Sequence, residues 1–220
     1  MKERNRRNFC ISAGLLVAFV LWTIAIKFID VQAIGPEGTS VGFAALNGLF
    51  HELTGVHMLL YTVTDLLGLV PLCMVLGFAV LGLIQLIKRK SLLKVDGDIW
   101  VLGGFYVLVM AAYVLFEVVA INYRPVLIEG VLEASYPSST TLLVMCVMPT
   151  AMMQFNSRIK NKKHKNVLTY AVITFTAFMV IGRLIAGVHW LTDIIGGALL
   201  SMGLVMLYYS VCSCLRQSGV

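Results

Sequence analysis

Apolar residues gather along the chain into six runs, each near the length of about 20 residues that a helix needs to cross the hydrocarbon core of a bilayer. They fall at roughly 9–29, 57–87, 99–121, 138–156, 167–187 and 190–212. The second is overlong and contains Pro71, so a kink or a tilt is expected there. The last two are separated only by His189 and Trp190, which places the polar residues of that turn at the membrane surface. The pattern predicts an all-α integral membrane protein of six transmembrane helices, forming a single domain over residues 1–220. A composition that is 59% hydrophobic and 13% charged, with a mean hydropathy of +0.90, excludes an ordinary soluble domain.

Charge orients the bundle. Lys2, Arg4, Arg6 and Arg7 precede the first run, and Lys88, Arg89, Lys90 and Lys94 lie between the second and third. Arg158, Lys160, Lys162, Lys163 and Lys165 lie between the fourth and fifth, and Arg216 follows the sixth. Of the 17 basic residues, only Lys27, Arg124 and Arg183 fall at or near the other side. By the positive-inside rule both termini are cytoplasmic. The net charge of +6 is thus accounted for by topology and gives a nucleic-acid partner no support. The first run lacks a small-residue cleavage site and is read as a retained anchor, not a signal peptide. The five cysteines are read as reduced packing residues, and Trp22, Trp100 and Trp190 as residues of the interfacial belt. A compact basic chain without glycosylation-rich loops points to a bacterial plasma membrane.

Three segments face outward: residues 30–56, which include a GPEG turn and a short interfacial helix; residues 122–137; and the His189-Trp190 turn. All the candidate chemistry lies there. In Arg183-x5-His189-x3-Asp193 a cation is followed by an imidazole and then a carboxylate four residues on, a spacing that lets the last two hydrogen-bond if the segment is helical. A carboxylate holding one imidazole nitrogen leaves the other free to attack or to carry a proton. Arg124-Pro125 stands where a span exits, and Pro137-Ser138-Ser139-Thr140 begins the fourth span, where unpaired helix N–H groups make an anion site. Two arginines, a helix N-terminus and a backed imidazole could surround one phosphate. Taken alone, His189 beside Trp190 is an ordinary interfacial histidine; Arg183 and Asp193 at this spacing favour the phosphate site. Asp65, two turns into an apolar run, is expected to be paired or in a cavity.

With these motifs the chain resembles the type-2 phosphatidic acid phosphatase superfamily, six-span membrane enzymes related to vanadium haloperoxidases. The family reads K-x6-R-P, then P-S-x-H, then S-R-x5-H-x3-D. Here the third motif is complete at Arg183, His189 and Asp193 except for Gly182 in place of the serine; Thr140 replaces the histidine of the second, and Glu117 the lysine of the first. The resemblance implies a two-step phosphate transfer without a metal or other cofactor. In it His189 attacks phosphorus, Asp193 orients it, and Arg124, Arg183 and Ser138, with Ser139 and Thr140 at the same helix start, hold the phosphoryl oxygens. The family's acid is the histidine missing here. Glu117, seven residues before Arg124 and on its face if the helix continues, is a candidate replacement; His51 and His57 are alternatives. The expected function is hydrolysis of a phosphorylated lipid, a polyprenyl pyrophosphate or a glycerolipid phosphate, at the outer face of the plasma membrane through a phosphohistidine. Membrane lipids are then its surroundings and its partners. Alternatives are transfer of the phosphoryl group to another lipid or sugar, and a non-catalytic phospholipid-binding or transport-related protein on a degraded scaffold.

Overall fold

The computed structural model describes residues 2–218, and among them the chain is helical with no strand beyond isolated bridges. Eight helices follow in order: α1 Lys2–Phe28, α2 Ala44–Thr54, α3 Met58–Leu67, α4 Leu69–Arg89, α5 Gly97–Val118, α6 Ser139–Arg158, α7 Lys162–Ile185 and α8 Leu191–Ser218. Five stretches are long and apolar enough to cross a membrane: Glu3–Phe28, Met58–Arg89, Gly97–Val118, Lys162–Ile185 and Leu191–Leu215. The overlong second run is indeed broken, at Gly68 between α3 and α4, three residues before Pro71. Proline has no N–H to give to Leu67, so the first turn of α4 starts afresh.

The expected fourth span is α6. Its length fits, but it is less apolar than the others because it carries Thr140, Thr141, Thr150, Gln154 and Asn156. The reason is its position. α6 packs against α4, α5, α7 and α8, and Thr141, Thr150 and Gln154 are buried against protein. Gln154 donates to the Tyr208 hydroxyl at 2.5 Å, and Tyr106 and Thr150 share a hydrogen bond of 3.3 Å. A helix enclosed by other helices can carry polar groups that lipid would not accept.

α1 runs along α8, where Ser12 donates to the Gly203 carbonyl at 2.8 Å and small side chains let the backbones approach. Phe19, Leu102, Phe105, Leu142, Leu204 and Tyr208 fill the main core. A second cluster of Val144, Met148, Val172 and Met179 joins α6 to α7. One end of the bundle is tied by charged pairs: Arg89 with Asp96 at 2.7 Å and Arg158 with Asp98 at 3.2 Å. The other end carries α2, the 122–137 loop and the α7–α8 turn.

Candidate active site

The loop between α5 and α6 folds as a tight hairpin. Glu129 and Gly130 both have positive φ, 50° and 78°, which is the type I′ turn that matches strand twist. Ile128 and Val131 exchange hydrogen bonds across it, Arg124 N–H donates to the Glu133 carbonyl at 3.1 Å, and Ser135 N–H to the Asn122 carbonyl at 2.9 Å. This register sets Arg124 beside Glu133 and Asn122 beside Ser135. An ion pair of 2.9 Å joins the first two side chains.

Asp193 lies in the first turn of α8. Its carboxylate reaches back to the Trp190 N–H at 2.9 Å, one half of a capping box, while its own N–H donates to the Trp190 carbonyl at 3.0 Å. Asn122 donates to its other oxygen at 3.4 Å. His189 precedes the helix, so the expected helical pairing of imidazole and carboxylate is not formed. Nδ1 and Oδ2 stand 3.9 Å apart, and the Ser135 hydroxyl lies between them, 2.5 Å from Asp193 and 3.0 Å from His189. Nε2 of His189 faces the Arg124 guanidinium at 3.5 Å. Burial first, then the charges of Arg124 and Arg183, holds His189 well below the ordinary histidine range.

Arg183 is 2% exposed and Arg124 7%, so neither is a free loop cation. Arg183 donates to the Tyr61 carbonyl and Thr64 hydroxyl of α3, pairs with Asp65 at 3.3 Å and lies over the Tyr61 ring. Gly182 explains how α3 comes so near: a Cβ there would meet Thr64 Cγ2 at 2.9 Å. Both guanidiniums line a cavity of about 500 Å³ together with Tyr61, Asp65, Tyr113, Glu117, Glu133, Ser139 and Thr140. Buried cations thus form part of its wall, and carboxylates share its lining.

A family model of the PAP2 superfamily matches residues 39–214, which include every one of these groups. The chain belongs to the PAP2 superfamily. As a PAP2 protein with several membrane-length apolar helices, it is a membrane lipid phosphatase in class. The crystal structure of a transmembrane PAP2 type phosphatidylglycerolphosphate phosphatase from Bacillus subtilis has the same fold, with a TM-score of 0.59 and 18% identity over 92% of this chain and 96% of that one. No curated protein matches the chain.

The fold of this PAP2 protein brings most of the sequence-predicted residues together. Arg124, Arg183, Ser139, Thr140 and Glu117 share the cavity wall, whereas His189 and Asp193 are not among its lining residues and meet it only through Arg124. α5 ends at Val118, so Glu117 does not reach Arg124 along one helix face; the hairpin returns the arginine to it. Ser138 is buried elsewhere. It caps α6, accepting from Thr141, while its own N–H donates to the Asp193 carbonyl, so its hydroxyl is not part of the cavity lining. His51 packs against the Trp190 ring, and the His57 imidazole bonds the Thr54 carbonyl; neither lines the cavity. Asp65 meets both expectations, in the cavity and paired. Trp190 is not a lipid-facing belt residue: it is 3% exposed and donates to the Tyr123 carbonyl. Sequence reasoning missed Ser135, Asn122, Glu133 and Tyr61. The Glu129-Gly130 dipeptide between apolar residues was the available signal for the hairpin that assembles the first three.

Proposed function

We propose that the protein removes the phosphate of a phosphorylated lipid through a phosphohistidine on His189, without a metal ion. The observation that carries this reading is the Nε2 of His189 facing the guanidinium of Arg124, which lines the cavity with Arg183; His189 itself stands next to that wall and is not among its lining residues. In the proposed reaction the Nε2 lone pair attacks phosphorus and the phosphorus–oxygen bond to the lipid breaks. The lipid oxygen leaves with the bonding pair and takes a proton from Glu117. Water then attacks the phosphohistidine, returning a proton to Glu117 and freeing inorganic phosphate. Arg124 and Arg183 balance the charge on the phosphoryl oxygens, and Ser139 and Thr140 meet them at the start of α6. Losing a general acid altogether costs about 10²–10⁴-fold, and a pyrophosphate leaving group, which needs less protonation than an alkoxide, suffers least. A polyprenyl pyrophosphate therefore suits the site better than a glycerolipid monoester.

The cavity continues toward the bilayer between α4 and α5. Leu69 and Leu72 of α4 face it with Tyr113 of α5, and one turn further Val75 and Met110 begin an apolar cleft along the same two helices. That continuity supports lateral access for a lipid whose chain stays in the membrane. The segregation of basic residues to the opposite end of the bundle supports a site on the outer face of a bacterial plasma membrane, with both termini inside and α6 as the fourth of six spans.

Purified protein should release phosphate from polyprenyl pyrophosphate in the presence of EDTA, and His189→Ala should abolish it. Phosphatidic acid and phosphatidylglycerol phosphate, assayed alongside, rank the substrates. Release that needs an added lipid or sugar acceptor would make the protein a transferase, and none from folded protein under any condition would leave a binding protein.

A further inference from the structure

We infer that Ser135 is the positioning residue of the nucleophile: its hydroxyl is the link through which Asp193 fixes the tautomer of His189. This rests on the phosphohistidine reading of the same site.

The distances decide it. At 3.9 Å the imidazole and carboxylate are beyond hydrogen-bond range, whereas Ser135 Oγ is within range of both. Proton counting then leaves one arrangement. The Arg124 guanidinium that faces Nε2 can only donate, so Nε2 accepts and the proton is on Nδ1, while Asp193 takes the Trp190 N–H, the Asn122 amide and Ser135 Oγ as donors. A hydroxyl carries a single proton, and Ser135 gives it to Asp193. Its lone pair faces His189, so Nδ1 must carry the other proton and donate it to Ser135. Nε2 is thereby left with its lone pair, on the side of Arg124. No proton needs to move along this chain during attack. When Nε2 becomes bonded to phosphorus, the positive imidazolium keeps its Nδ1–H on Ser135, and Ser135 keeps its own on the carboxylate.

Ser135 is fixed independently of its hydroxyl. Its N–H is held by the Asn122 carbonyl across the hairpin, and it is buried at 2% exposure. The next residue, Tyr136, is locked against α8 and α1. A Cβ on Gly196 would fall 2.3 Å from its ring, its hydroxyl bonds Thr23 at 2.7 Å, and its ring stacks with Phe19. The carboxylate is equally fixed, being bound to the backbone of its own helix cap. Neither partner is free to close the remaining distance without giving up another bond.

The test reads the tautomer and the turnover in the full-length protein. With only four histidines in the chain, ¹⁵N-imidazole spectra are assignable by comparison with His189→Gln. Wild type should show His189 protonated at Nδ1 alone, and Ser135→Ala should show exchange between tautomers. With polyprenyl pyrophosphate, Ser135→Ala should lower kcat about 10–100-fold, the usual cost of removing a group that orients a functional imidazole, at unchanged KM. Combined with Asp193→Asn it should be no slower than Asp193→Asn alone, because both cut the same chain. A locked Nδ1–H tautomer persisting in Ser135→Ala, or losses that multiply in the double variant, would overturn the inference. Ser135→Cys, which keeps the volume and weakens both hydrogen bonds, gives the same readouts if Ser135→Ala does not fold. The tautomer is read without turnover, so an inactive wild type with a Ser135-dependent tautomer would refute the phosphatase reading and with it the nucleophile, leaving only the Ser135 link between Asp193 and His189.

Discussion

His189 is buried among cations, and that has a consequence for acid sensitivity. A neutral buried imidazole beside two guanidiniums resists protonation, so its folded value lies below the ordinary 6.5. Between those two values the unfolded chain binds a proton that the folded chain does not. Stability therefore falls as pH is lowered through that window, at a slope of up to about 1.4 kcal/mol per pH unit. Thermal melts of wild type and His189→Gln, taken from pH 7 downward, should diverge below pH 6.5, with wild type losing more. Parallel curves would mean that the imidazole is already free to take a proton. Residue chemistry was partly legible in the sequence. Arg183, His189 and Asp193 lie within one turn-and-helix segment, where spacing constrains geometry, and Arg124 was conspicuous as a cation on an outer loop. Ser135 was not legible, because its meeting with Asp193 depends on a hairpin register and on contacts 58 residues apart. The place of Ser138 as the cap of α6, outside the cavity lining, is hard to read for a related reason. Adjacency to Pro137 suggested a phosphate ligand, but the first hydroxyl of a helix start is the one that caps it.

At the scale of elements, the six apolar runs anticipated the long helices well, since bilayer-length hydrophobicity leaves few alternatives. What holds the outer end is less legible in the pattern. α2 was expected as an interfacial helix, and Leu46, Leu49 and Leu53 are indeed exposed on it. Its inner face, however, caps α8. The fully buried Asn47 amide donates to the Gly42 carbonyl at 2.8 Å and to the Thr192 hydroxyl at 3.0 Å, while its oxygen accepts the Thr192 N–H at 3.2 Å. α2 thus secures the turn that carries His189 and Asp193, with the His51 ring against Trp190 adding a second contact. Asn47→Ala leaves these groups buried without partners, a cost of about 1–3 kcal/mol for each. The variant should melt several degrees below wild type, and should lose kcat as well through displacement of His189. An unchanged melt with full activity would show that water replaces the amide.

The molecule as a whole is polarised, and this bears on which leaflet supplies the substrate. At one end are Arg89, Arg158, Asp96 and Asp98 in a network of ion pairs, followed by Lys160 and the lysines of the first turn of α7. At the other are the cavity, the hairpin and α2, with basic side chains confined to Lys27, which bonds the Ile121 carbonyl, and the two buried arginines. Translocation disfavours flanking cations, so the proposed orientation keeps the first end in the cytoplasm. Arg124 and Arg183 do not contradict the rule, because both are folded into the site and partnered by carboxylates. Two exposed positions separate the alternatives: Glu37 in the loop before α2 and Lys94 in the loop before α5. In a chain with its own cysteines changed to serine, Glu37→Cys should react with a membrane-impermeant maleimide on intact cells, and Lys94→Cys only after lysis. The reverse pattern would turn the site toward the cytoplasm. It would then have to draw its lipid from the inner leaflet, and the cleft between α4 and α5 would extend away from it toward the outer one.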